Sequence, residues 1–221
     1  MLKRTLIALL ALVTVVLPAQ ADSKIDRSNP YTMVEEAAQI AFARLKASRN
    51  DIRANPNLLK LVVEEELLPY VDYKYAAYKV MGKNYRNISK EDRDRFVVAF
   101  RGYLVTTYAQ AFTLYDEQEV KFANRGQNGD SNIAVIKALI LDPKAPEVEI
   151  AFKARRNSKT GQWGVYDMVA EGISLLSSKR AELEGLIRQK GVETVITMLN
   201  EKAASDIVFK KEAKAGGEQS S

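Results

Sequence analysis

Asp167 is the side chain whose neighbours best equip it for acid–base chemistry. It stands in the run WGVYDMVAEGISLL, where alternation places Trp163, Val165, Asp167 and Val169 on one face of a strand. A carboxyl group in an apolar setting has a raised pKa, which is what a general base working near neutral pH requires. With Tyr103 or Tyr108 as donor, Asp167 would form the acid–base pair of an isomerase or dehydratase on a cone-shaped fold. The structural alternative is a carboxylate tied to backbone N–H groups near the strand end. The chain has no histidine and no cysteine. That excludes Ser-His-Asp and Cys-His catalysis, the commonest zinc ligand, disulfides and a lipid-modified cysteine.

A second distinctive stretch is LLPYVDYKYAAYKVMGKNYR, which holds five of the ten tyrosines, interleaved with Lys74, Lys79, Lys83 and Arg86. Val71, Tyr75, Tyr78 and Gly82 fall on one helical stripe. It reads either as a docking face with solvated lysines or as a rim near anionic headgroups.

The elements that position these residues follow from capping signals and period. Lys3 and Arg4, the apolar run Leu6–Leu17 and Ala19-Gln20-Ala21 form a secretory signal peptide cleaved after Ala21. Residues 22–200 are expected to form one domain, and 201–221 a polar, disordered tail. The net charge of +5 loses Lys3 and Arg4 on cleavage and becomes +3, with both signs spread along the chain, which argues against nucleic acid as a partner.

Asn29-Pro30 opens a first helix, Asn55-Pro56 a second that Pro69 breaks, Asp72 a third and Ser89 a fourth. After Asp116 the period becomes two. Ala134, Ile136, Ala138 and Ile140 share one strand face, and Val148, Ile150, Phe152 and Ala154 share another. The Trp163–Val169 strand follows, and Glu117–Ala123 adds a fourth. Glu171-Gly172 turns the chain into C-terminal helices, the last from Val192 to about Leu199. The expected fold is α+β: a helical N-terminal half, a twisted antiparallel sheet of about four strands covered on one face, then helices.

A sheet curled around a helix can enclose an apolar pocket. The inward positions expected to line it are Phe100, Tyr103, Leu104, Tyr108, Ile136, Ala138, Ile150, Phe152, Val169, Ile173 and Leu176. Periodicity alone leaves open whether they line a cavity or fill a core.

NPYTMVEEAA, ELLPYVDYKYAA, RFVVAFR and WGVYDMVAEGISLL, in that order behind a signal peptide, resemble the MlaC family over Asn29 to about Leu199. These are the phospholipid-binding proteins of the Mla pathway, also known as Ttg2-type toluene-tolerance auxiliary proteins. The resemblance implies a cone like that of nuclear transport factor 2 (NTF2-like), with acyl chains held inside. It implies a monomeric periplasmic carrier of phospholipid between the outer and inner membranes, maintaining outer-membrane lipid asymmetry. Its implied partners are an outer-membrane lipoprotein–porin complex and an inner-membrane ABC transporter complex with a periplasmic substrate-binding ring. It implies no catalytic residue, no metal and no cofactor beyond the lipid cargo. A periplasmic protein-binding adaptor is the remaining alternative.

Overall fold

The computed structural model describes residues 25–123, 131–143 and 145–209. The expected signal peptide and most of the expected tail lie outside these residues.

Asn29 caps α1 (Pro30–Ala47), its Oδ1 accepting the N–H groups of Tyr31 and Thr32, with Pro30 pre-set for the first turn. α2 (Arg49–Ala54) follows. The Asn55-Pro56 signal gives a turn before it gives a helix: Asn55 Oδ1 accepts from the Asn57 N–H, and α3 (Leu58–Val62) starts beyond it. A π-helical turn at Val63–Leu67 and a 3₁₀ turn at Leu68–Tyr70 absorb Pro69. Asp72 then caps α4 (Tyr73–Met81) and Ser89 caps α5 (Lys90–Phe112).

Five antiparallel strands form one open sheet in chain order: β1 (Glu119–Phe122), β2 (Ile133–Asp142), β3 (Ala145–Arg156), β4 (Trp163–Ala170) and β5 (Ile173–Ser174). The fifth strand exceeds the four expected. It exists because Glu171 and Gly172 have φ of 50° and 78°, the left-handed pair of a tight hairpin turn. Ile173 therefore pairs with Ala170 instead of starting a helix. Two helices follow, α6 (Leu175–Lys190) and α7 (Val192–Ala204).

The sheet is two-sided. Ala134, Ile136 and Ala138 are buried, while Ile133, Val135 and Lys137 alternate outward and Lys137 reaches Glu149 at 3.2 Å. α1 lays Met33, Val34 and Ala37 on Ala134, Ile136, Ala154 and Trp163. α5 packs on α3, α4 and α7. Its close approach to α7 needs Gly102, because a Cβ there would stand 2.9 Å from that of Ala203, and the Thr106 hydroxyl donates to the Ala203 carbonyl at 2.8 Å.

The folded chain continues past residue 200, where the domain was expected to end. α7 runs to Ala204, and Ile207 is buried with α3 and α5. Asn57 accepts the Ile207 N–H, and Gln110 both donates to and accepts from the Val208 backbone.

Gly82 closes α4 with φ of 58°, and the Glu184 carboxylate fills the place of a Cβ. Gly82→Ala should lower the unfolding free energy by about 1–3 kcal/mol, measured by urea denaturation. An unchanged midpoint would mean that the positive φ carries no strain.

Candidate functional site

The strand registers assemble one continuous apolar row. Phe122 pairs with Ala138, Ala138 with Ile150, Ile150 with Ala170, and Ala170 with Ile173. Residues directly opposite in a ladder share a face, so the row crosses all five strands on one side of the sheet. Ile136, Phe152 and Met168 form a second row beside it, and Val120, Ile140 and Val148 a third.

Burial along this face is graded. Ala134, Ile136, Ala138 and Ala154 lie under α1. Ile140, Val148, Ile150, Phe152, Met168 and Ala170 are half-buried, and Ile173 is 61% exposed. The helical cover stops before the apolar surface does. At the β1 end the same face opens into a cavity of about 330 Å³ between α1 and the sheet, lined by Phe42, Tyr115, Val120 and Phe122 with Glu35, Gln39 and Gln118 at its polar side. That is the lower end of the size of small-molecule sites.

At the other end is the corner where β5 enters α6. Lys179 of α6 lies over the Tyr103 ring of α5 at 5.1 Å, and Tyr103, Tyr108 and Leu176 pack on one helical cluster. Leu175 is 41% exposed beside Ile173, and Ala111 and Leu114 near the end of α5 are also exposed.

The expected pocket residues thus divide. Ile136, Ala138, Ile150, Phe152 and Ile173 share the inner sheet face, while Tyr103, Tyr108 and Leu176 gather where α5 meets α6. Phe100 and Leu104 are buried among α4, α5, α6 and α7, with Phe100 stacked between Phe96 and Tyr103. Val169 lies on the opposite face of the sheet. A bulge causes this: Lys153 pairs with Asp167 but Ala154 pairs with Val165, so Tyr166 is an extra residue and the alternation reverses there. Asp167 and Val169 therefore do not share the face of Trp163 and Val165.

Asp167 is a staple. Oδ1 accepts the Leu176 N–H at 3.0 Å, and Oδ2 accepts the Ser174 hydroxyl at 2.8 Å and pairs with Lys153 at 3.3 Å. A general base needs a free lone pair facing a substrate, and these oxygens are committed to the β4–β5–α6 corner. Tyr108 is no better as an acid. Burial pushes its phenol up to about 12, and the Asp167 carboxylate and Tyr103 add to the effect. The geometry supports the structural reading of the pair.

The tyrosine stripe of α4 is not its buried face. Ala76, Ala77, Val80 and Met81 are buried, while Tyr75 carries Arg155 at 4.2 Å and Lys79 at 5.5 Å over its ring. Sequence reasoning missed Phe42, Tyr115, Val120 and Phe122. Alternation in Glu119–Phe122 could have found the last two; the aromatics of α1 and the α5–β1 connection meet only through tertiary packing.

Among the described residues no group of three or more Asp or Glu is arranged to hold a metal, and no helix is long and apolar enough to cross a membrane. A family model described as MlaC protein matches residues 35–201. A relative from Haemophilus influenzae, the intermembrane phospholipid transport system binding protein MlaC, is 34% identical over 187 residues, covering 84% of this chain and 87% of its own. A phospholipid-binding protein from Ralstonia solanacearum, solved in complex with a phospholipid, superposes with a TM-score of 0.70 at 20% identity, over 80% of this chain and 97% of that one.

Asp167→Ala should cost about 2–4 kcal/mol in urea denaturation, because a buried N–H, a hydroxyl and an ammonium lose one partner; a loss below that range would refute the staple. Tyr108 gives a pH signature. Above about pH 10 the unfolded chain ionises this phenol while the folded protein holds it neutral, so stability falls as pH rises to about 12. In Tyr108→Phe that fall should be smaller by about 2 kcal/mol, and equal slopes would show that the phenol is solvated.

Proposed function

Since this chain belongs to the MlaC protein family, we propose that it is a carrier that takes glycerophospholipid as cargo, working in the periplasm between the outer and inner membranes and maintaining outer-membrane lipid asymmetry. The observation that carries the reading is the apolar row across five strands, covered by α1 at one side and left half-open towards Ile173. A surface of that kind is stable in water only when something apolar covers it.

Support for the cargo comes from the relatives. The Haemophilus protein is named for intermembrane phospholipid transport, and the Ralstonia protein of like fold was solved with a phospholipid. The chain itself supplies an apolar wall, a polar rim of Glu35, Gln39 and Gln118, and a corner carrying Lys179. Hydrocarbon lies along the wall, and the headgroup stays near solvent.

A carrier of this kind loads and unloads at docked complexes. The partners we assign are an outer-membrane lipoprotein with its porin and an inner-membrane ABC transporter with a substrate-binding ring. Transport between membranes by one diffusing domain asks for shelter and release, with no bond made or broken in the cargo. Asp167, held by the corner, fits that role better than it fits turnover.

Mass spectrometry of an organic extract of the purified mature protein should show near-stoichiometric phospholipid; an extract without lipid would leave the adaptor reading. Ile173→Glu places a charge at an exposed rim, so the fold should stay within about 0.5 kcal/mol of wild type while copurifying lipid falls roughly tenfold. Undiminished lipid would remove Ile173 from the wall.

A further inference from the structure

Three helical threonines among the described residues satisfy their hydroxyls within the protein. Thr194 and Thr197 of α7 donate to carbonyls four residues back, and Thr106 of α5 donates to Ala203. Thr107, the next residue and about 100° round the helix, has a buried Oγ1 with no hydrogen-bond partner among the described residues. An interior hydroxyl left unpaired costs free energy, so a position that keeps one calls for an occupant that pairs it.

The surroundings say what kind. Thr107 lies one turn from Tyr103, which sits under Lys179, and one turn from Ala111, which is exposed; Tyr108 is its neighbour in sequence. Tyr108 too makes no hydrogen bond to the described protein, although its phenol is within electrostatic reach of Asp167 on β4. Two hydroxyl donors thus stand on α5 near the corner of β4 and α6, with Tyr108 packed against the helical clusters. A phosphate would demand a free cation, and Lys179 is already engaged by Glu182 at 2.5 Å. The group that fits is a neutral acceptor attached to hydrocarbon.

We propose that the hydroxyls of Thr107 and Tyr108 donate to the ester carbonyls of an acylated glycerolipid, so that the site reads the ester linkage as well as the chains. This rests on the carrier reading. It adds a polar recognition point at the corner of α5, β4 and α6, beside the apolar wall, at the depth where a glycerophospholipid changes from headgroup to tail.

The test offers delipidated full-length mature protein an equimolar mixture of diester and diether phosphatidylethanolamine of equal chain length, with bound lipid quantified by mass spectrometry. Wild type should enrich the diester about five-fold, the worth of one net hydrogen bond. T107V should bring the ratio near one, T107S should keep it, and lipid-free T107V should melt no lower than wild type because its hydroxyl had no partner to lose. Equal uptake of both lipids by wild type, or an undiminished preference in T107V, overturns the inference while leaving the carrier intact. Retention of neither lipid sinks the carrier reading and this one with it. In a third arm, displacement of the diester by an equimolar free fatty acid would overturn the glycerolipid assignment in favour of a carboxyl group.

Discussion

An antiparallel sheet with one apolar face must have that face covered, and here the available cover is incomplete. α1 lays Met33, Val34 and Ala37 over Ala134, Ile136, Ala154 and Trp163, while its later buried residues, Ala41 and Leu45, turn to α3 and α5. α5 is long enough to complete the layer, but it is drawn to α7. Gly102 permits the close approach, and the Thr106 hydroxyl fixes it. Each square ångström of apolar surface left in water costs about 25 cal/mol, so the half-open rows represent free energy that a hydrocarbon ligand recovers. The open apolar surface is thus a consequence of where two helices are held.

The corner at β4, β5 and α6 is fixed with unusual redundancy for a surface feature. Glu171 and Gly172 set the hairpin, Ser174 caps α6 by accepting the Ser177 N–H at 3.0 Å, and the same hydroxyl donates to Asp167. The carboxylate also sits at the positive end of α6 and takes the Leu176 N–H. One buried acid therefore ties the helix start to the sheet edge on top of the turn and the cap, and helps keep Ile173 and Leu176 in place beside an open apolar surface.

Much of this was legible in the sequence because the governing signals are local. Asn29-Pro30, Asp72 and Ser89 each cap the helix they predict, and the alternation in Ile133–Asp142 and Ala145–Arg156 names the inner rows residue by residue. The failures share a cause as well. A bulge at Tyr166 leaves no trace in a run whose apolar pattern is the same on both faces, so Asp167 and Val169 were assignable only once their partners Lys153 and Ala151 were known. Tyr75 and Tyr78 were expected on a stripe that docks or forms a rim, yet alanine, valine and methionine allow α4 the closer packing, and the half-buried tyrosines pack edge-on against Tyr166 and Tyr85 while their rings carry Arg155, Lys79 and Lys74. The cavity at Phe42 and Tyr115 needs two distant segments to meet, which no window along the chain reveals.

A wall of side chains suffices for a carrier because of the energy scale of its cargo. Burying a methylene contributes about 0.8 kcal/mol, so two chains with roughly 14 carbons each represent on the order of 20 kcal/mol against water. Escape into water is therefore far too slow to be of use, and release has to occur where another apolar surface is presented directly. The same hydrocarbon is equally content in a bilayer, so the carrier must not bind it much more tightly than a membrane does. A fully enclosed cavity would raise the barrier to that exchange; an apolar face open at one edge, ending in exposed Ile173 and Leu175, lowers it. On the proposed carrier reading, incomplete helical cover is what lets the surface both shelter a tail and give it up.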